Sequence, residues 1–191
     1  RILTQSGNIK LGGISAYAHK VYNAKRLIIT ACGTSYYAGL TAEYLFEDLC
    51  RIPVEVEYAS EFRYRNPVLY PDDVLLAISQ SGETADTLVA VDQAKASGST
   101  VIGICNVVGS SIARATHEGI YTHAGPEIGV ASTKAFTAQL IVLSMLAIKM
   151  ASERHTIQES FRHQLILELQ RVPALVEEVL LLLVGTGGIK P

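Results

Sequence analysis

Short apolar runs alternate with longer stretches of helical periodicity along most of this chain. Arg26 to Ala31 (RLIITA) is apolar and β-branched, and the turn Cys32-Gly33-Thr34-Ser35 separates it from a helical pattern carrying Ala38, Tyr44 and Leu45. This is one strand-turn-helix unit. Val54 to Tyr58 (VEVEY) alternates with period two, which predicts an edge or half-covered strand. Val74 to Ile78 (VLLAI) is continuously apolar, as a strand buried on both faces requires. Ser79-Gln80-Ser81-Gly82-Glu83-Thr84 follows it, then a helix through Leu88, Val91 and Ala94 that closes near Gly98, a residue able to take the left-handed cap conformation. Val101 to Cys105 (VIGIC) repeats the pattern, with Gly109-Ser110-Ser111 and a short helix behind it, and Gly119 to Thr122 is a fifth strand candidate.

A long helix is expected from about Ser132 to Met150, with Ser132 or Thr133 as its N-cap and a nearly all-round apolar surface that implies burial. From Thr156 to Val184 a further helical pattern (Phe161, Leu165, Leu169, Val172, Val176, Val179) contains Pro173, which predicts a break or kink there. Gly185-Thr186-Gly187-Gly188 reads as a flexible end.

Strands alternating with helices predict an α/β fold: a three-layer αβα, doubly wound, five-stranded parallel sheet. With the flavodoxin-like order 2-1-3-4-5, the topological switch point lies between the first and third strands, and a ligand crevice lies beyond their carboxyl ends. The turns Cys32 to Ser35 and Ser79 to Thr84 follow those two strands and are the densest clusters of Gly, Ser and Thr.

The 191 residues fit a single domain. By the usual size scaling, a chain of this mass buries about 70% of its extended surface, enough for a core without a disulfide or metal staple. Sixteen basic against 18 acidic residues and a pI near 6.2 leave no electrostatic footprint for nucleic acid. Cys32, Cys50 and Cys105 are scattered and odd in number, which fits a reducing cytosol. The apolar stretch Leu140 to Met150 is too short to span a bilayer, which takes ~20 residues, and no secretory leader is legible. A start at Arg1 instead of Met suggests a processed chain or an excised piece.

A glycine- and hydroxyl-rich turn that opens a helix offers backbone N–H groups, a positive dipole end and rotatable O–H donors, which together suit a phosphate dianion. Ser35, Ser79, Ser81 and Thr84 are the natural donors, Gly33 and Gly82 let the backbone approach closely, and Gln80 adds an amide. The plainer alternative is that Ser35 and Thr84 are only helix caps. Other chemistries fail on position. GxxxxGK is missing around Lys134, GxGxxG is missing after Gly33, and neither turn forms the GxSxG nucleophile elbow. A phosphatase-type Cys32 would need Arg where Ala38 stands. His19, His117, His123, His155 and His163 lack ligand spacing, so neither metal nor cofactor is expected.

The strings ACGTSYYAG (31–39), VEVEYASEFRYR (54–65), SQSGETADTL (79–88), ICNVVGSSIAR (104–114) and AGPEIGVASTKAFTAQL (124–140) together resemble the sugar isomerase half of the glutamine:fructose-6-phosphate aminotransferases. The likeness covers about residues 9–150. SQSGE alone would point only to the broader sugar isomerase (SIS) domain family. The resemblance implies a five-stranded parallel sheet and an enzyme that makes glucosamine 6-phosphate from fructose 6-phosphate and glutamine; the apolar long helix and the helical extension after residue 156 suggest a homodimer, and the cysteine pattern a cytoplasmic protein. By the same likeness Ser79, Gln80, Ser81 and Thr84 hold the phosphate with Ser35, Thr34 touches the sugar beside Cys32 and Gly33, and Val130 and Ser132 line the pocket.

No catalytic residue carries over, because the family's amino-terminal cysteine and its ring-opening histidine, Schiff-base lysine and isomerising glutamate belong to a glutaminase domain and a second sugar isomerase domain. The expectation is therefore one sugar isomerase domain over 1–191, with a core at 9–150 and a helical extension at 151–184. It would bind a hexose 6-phosphate, fructose 6-phosphate or glucosamine 6-phosphate, without completing the reaction. Two rivals remain: a non-catalytic sugar-phosphate sensor, and a self-contained aldose-ketose isomerase using Glu83, Glu127 or His123.

Overall fold

Five strands, β1 (Arg26–Ala31), β2 (Val54–Tyr58), β3 (Asp73–Ser79), β4 (Thr100–Cys105) and β5 (Glu118–Tyr121), form one sheet in the order β2-β1-β3-β4-β5. All neighbouring pairs are parallel. The computed structural model describes residues 8–129 and 132–185. β1 and β3 are buried almost throughout, as their unbroken apolar runs require, and edge strand β2 is half-exposed beyond Val54, as its alternation predicted.

Helices cover both faces. One layer holds α1 (Ala18–Tyr22), α2 (Thr34–Cys50) and α6 (Lys134–Glu153), whose Val21, Ala38, Ala42, Phe46, Leu143 and Leu146 pack with Leu27, Ile29, Leu76 and Ile102. The other holds α3 (Ala59–Arg65), α4 (Ala85–Ala96) and α5 (Ser111–Ala115), with Phe62, Ala90, Val91 and Ile112 against Ile28, Leu75 and Val101. Successive side chains on β1 feed opposite cores, Ile28 one and Ile29 the other, so two separate apolar layers hold the sheet.

α6 starts two residues later than the sequence suggested and runs on to Glu153. Its 20 residues, with a mean hydropathy of 1.6, are long and apolar enough to cross a membrane. More than half of that span is buried inside the molecule and packs with α2, as befits a core helix. At Pro173 α7 (Glu159–Gly185) continues without the break that was one of the two expected outcomes. Proline removes one i→i−4 hydrogen bond. Pro173 is exposed, so water can serve the carbonyl left without a donor. Ile166 anchors α7 to the core, whereas Leu175, Val176, Val179 and Leu180 are exposed. Of the expected flexible end, residues 186–188 lie outside the described residues.

Candidate functional site

The register pairs Ala31 with Ile78, so the turn after β1 and the turn after β3 leave neighbouring strand ends on the same side of the sheet. This is the switch point, where chain connections depart in opposite directions and leave a crevice. α2 and α4 begin from these two turns, and both point their N-termini at it.

Neither helix is capped by a side chain. Gly33 occupies the N-cap position of α2 at φ +58°, and Thr84 that of α4, with no side-chain cap hydrogen bond at either. The capping-only alternative for Ser35 and Thr84 is therefore not realised. The leading N–H groups of both helices stay available, and the dipoles add positive potential. Thr84 Oγ1 instead lies 3.1 Å from Ser79 Oγ, which accepts from the Gly82 N–H at 2.9 Å. Ser81 Oγ accepts from the Glu83 N–H at 3.2 Å. A network of hydroxyls thus shapes the second turn.

Gly82 is indispensable there: its φ is +68°, and a Cβ would stand 1.9 Å from Ser110 Oγ. Its carbonyl accepts from Ile112 N at 2.9 Å, and the Gln80 carbonyl accepts from Asn106 N at 3.3 Å, tying the turn to the β4–α5 connection. Asn106 then steadies the segment after β5, donating to the Gly125 carbonyl at 2.8 Å and accepting from Thr122 Oγ1 and Ala124 N at 3.0 and 2.8 Å.

In the first turn Cys32 and Thr34 are half-buried, Gly33 is exposed, and Ser35 is buried. Ser35 Oγ accepts from Gln139 Nε2 on α6 at 3.0 Å. Tyr36 stacks on Tyr58, with ring centroids 3.7 Å apart. Ser132 is half-buried ahead of α6, and its hydroxyl donates to Glu127 Oε2 at 2.8 Å. Val130 lies outside the described residues.

No lysine or arginine occurs from 31 to 37 or from 79 to 86. The donors within these two turns are therefore neutral N–H and O–H dipoles. Glu83, the nearest acid in sequence, is turned away: its Oε1 accepts from Ser111 N at 2.9 Å, and the Ser111 hydroxyl and N–H hold its carboxyl below the usual glutamate range.

Thr133 stands at the N-cap of α6, one of the two positions expected, but its own side chain makes no cap hydrogen bond, and Glu127 supplies the capping oxygen. Its Oε1 accepts from Thr133 N, Thr133 Oγ1 and Lys134 N at 2.5, 3.1 and 3.1 Å. These bonds, the Thr133 N–H foremost, hold the Glu127 carboxyl below its ordinary value. A carboxylate with a depressed pKa in the fold contributes stability that is complete above the ordinary value and lost as pH falls through the lowered one. The amide shifts of Thr133 and Lys134 should therefore move with pH only below the usual glutamate range, and Glu127→Gln should abolish that movement. An NMR titration with a midpoint at or above that range would contradict this reading.

A cavity of about 610 Å³ lies elsewhere, beside β5, lined by residues 10–13 and 119–123, His123 among them. The sequence reading missed this cavity, the Asn106 tether, the Glu127 cap and Gln139.

A doubly wound α/β domain with two glycine- and hydroxyl-rich turns at its switch point defines a class of small-ligand-binding domains. The family model that matches residues 20–149 is the SIS domain, and the chain belongs to that family. It is 58% identical over 180 residues to the glutamine--fructose-6-phosphate aminotransferase [isomerizing] of Bacteroides thetaiotaomicron, a match covering 94% of this chain and 29% of that protein. It is 48% identical to enzyme 1 of the same name from Rattus norvegicus, covering 90% of this chain and 25% of that one. Among solved structures, the C-terminal domain of glucosamine-fructose-6-phosphate aminotransferase from Francisella tularensis superposes with a TM-score of 0.89 at 39% identity, covering 95% of this chain and 51% of that one. The chain thus spans under a third of the curated relatives' length.

Proposed function

We propose that this chain is a hexose-6-phosphate-holding domain of the isomerase half of a glutamine:fructose-6-phosphate aminotransferase. The observation that carries the reading is the convergence of two uncapped helix N-termini, α2 and α4, with Ser35, Ser79, Ser81 and Thr84 at one switch point. Such a site holds a phosphate through N–H and O–H donors and presents the sugar to whatever lies above the crevice. The similarity to enzymes named for fructose 6-phosphate supplies the sugar. Ammonia released from glutamine is transferred to fructose 6-phosphate in that reaction, and the product is glucosamine 6-phosphate.

In this proposal residues 9–150 form the ligand-holding core and 151–184 an extension whose exposed apolar outer face supports dimer assembly. The groups that open the ring, form the Schiff base and move the proton belong to other parts of the complete enzyme. The stand-alone isomerase reading is disfavoured because Glu83 and Glu127 both spend their carboxylates on backbone N–H groups.

Isothermal titration with glucosamine 6-phosphate tests the proposal. Ser81→Ala and Thr84→Val should each weaken binding by about tenfold or more, the usual effect of losing a hydrogen bond to a charged group. Unphosphorylated glucosamine should not bind measurably. Equal affinities for the parent and both variants would overturn the assignment.

A further inference from the structure

Ala135, Gln139, Val142 and Leu143 lie on the buried face of α6, and Gln139 is fully buried in this otherwise apolar layer. A primary amide there costs stability unless both its ends are paired. Only one end is: Nε2 donates to Ser35 Oγ at 3.0 Å, while Oε1 has no partner among the described residues. An aliphatic side chain would pack here without that cost, so the amide needs another explanation.

A serine hydroxyl has one proton to give and two lone pairs to offer. With Gln139 donating to one lone pair, Ser35 has no donor role to play toward α6, and its proton is left for the crevice. We propose that Gln139 is a positioning residue for the phosphate site: it fixes Ser35 as a hydrogen-bond donor facing the ligand. This rests on the sugar-phosphate reading above and adds to it a side chain from the packed layer beneath. An amide suits the task and a carboxylate does not. An ionised Glu at 139 would accept the Ser35 proton and turn the hydroxyl's lone pairs toward the anion.

The test measures binding of glucosamine 6-phosphate and of inorganic phosphate, with thermal midpoints, for the full 191-residue chain and four variants. Ser35→Ala should weaken binding about tenfold or more, and Gln139→Met, close in volume, about 2–10-fold. The double variant Ser35→Ala/Gln139→Met should bind no more weakly than Ser35→Ala, because Gln139 acts only through Ser35. For Gln139→Glu, the loss relative to the parent should grow as pH rises from about 6 to 10, because burial raises a glutamate pKa to as much as about 8–9. Taking the ratio to the parent cancels the phosphate's own titration.

Losses that multiply in the double variant would show a general packing role, and either that result or a flat Gln139→Glu ratio would overturn the inference while leaving the site intact. If the parent and Ser35→Ala bind alike, or neither binds, the sugar-phosphate reading itself has failed. Should Gln139→Met not fold, the pH ratio of Gln139→Glu decides alone.

Discussion

Gly82→Ala is expected to abolish measurable sugar-phosphate binding and to destabilise the fold by about 2–5 kcal/mol, the sum of a left-handed alanine and an overpacked contact. Both costs arise at one backbone position. At φ +68° a Cβ is strained even in open space, and here it would stand 2.4 Å from Ser110 Cβ as well as against its hydroxyl. The turn could escape only by moving away from α5, which would break the bond from Ile112 N to the Gly82 carbonyl. Adding Ser110→Gly removes the steric part and leaves the conformational one, so the double variant should recover part of the stability. Urea unfolding of the three proteins checks this. A Gly82→Ala protein as stable as its parent would mean that the turn is not held in the shape described.

Arg26→Met should cost about 3 kcal/mol, because it strands a buried carboxylate. Asp73 is only 3% exposed, and Arg26 donates to both its oxygens, from Nε at 3.2 Å and Nη2 at 2.5 Å. Arg26 Nη1 also reaches Glu55 at 2.8 Å, and these bonds, that to Asp73 foremost, push the guanidinium pKa up. Arg26 itself is partly exposed, which places the expected loss at the low end of the range for broken buried pairs. Asp73 also accepts from Tyr70 N, so Arg26→Met/Asp73→Asn keeps that bond, removes the stranded charge and should regain stability. The cluster sits at the amino-terminal edge of β1 and β3, opposite the crevice, so sugar-phosphate affinity should not change. Denaturant midpoints within error of the parent would show that Asp73 is solvated.

These two sites also show where a linear reading succeeds. β1 and β2 have the bounds their apolar runs suggested, and the sheet has the flavodoxin-like order taken as the expectation. β3 reaches one residue further at each end because Asp73 and Ser79 are buried polar groups satisfied by partners distant in sequence or in the following turn. Hydrophobicity alone assigns such residues to loops. α3 went unnoticed because its seven residues carry only Ala59 and Phe62 into the core.

Within the candidate site, the composition of the two turns was legible because their chemistry is local. Their hydrogen bonds were not. Thr84 stands at the N-cap of α4 and Ser35 in the first turn of α2, yet one hydroxyl faces Ser79 and the other is engaged by α6. Glu127 caps a helix that begins seven residues later, and nothing in its own neighbourhood signals this. Gln139 looks in sequence like an interruption of an apolar helix. Only the packing of α6 on α2 shows which way it faces.

Backbone amide NMR during addition of glucosamine 6-phosphate is the most direct check on the central claim. The resonances of Gly33, Thr34 and Ser35 should shift together with those of Gln80 to Thr84, with one saturation curve describing both turns. Shifts confined to residues 119–123 around the separate cavity, or to one turn without the other, would contradict it.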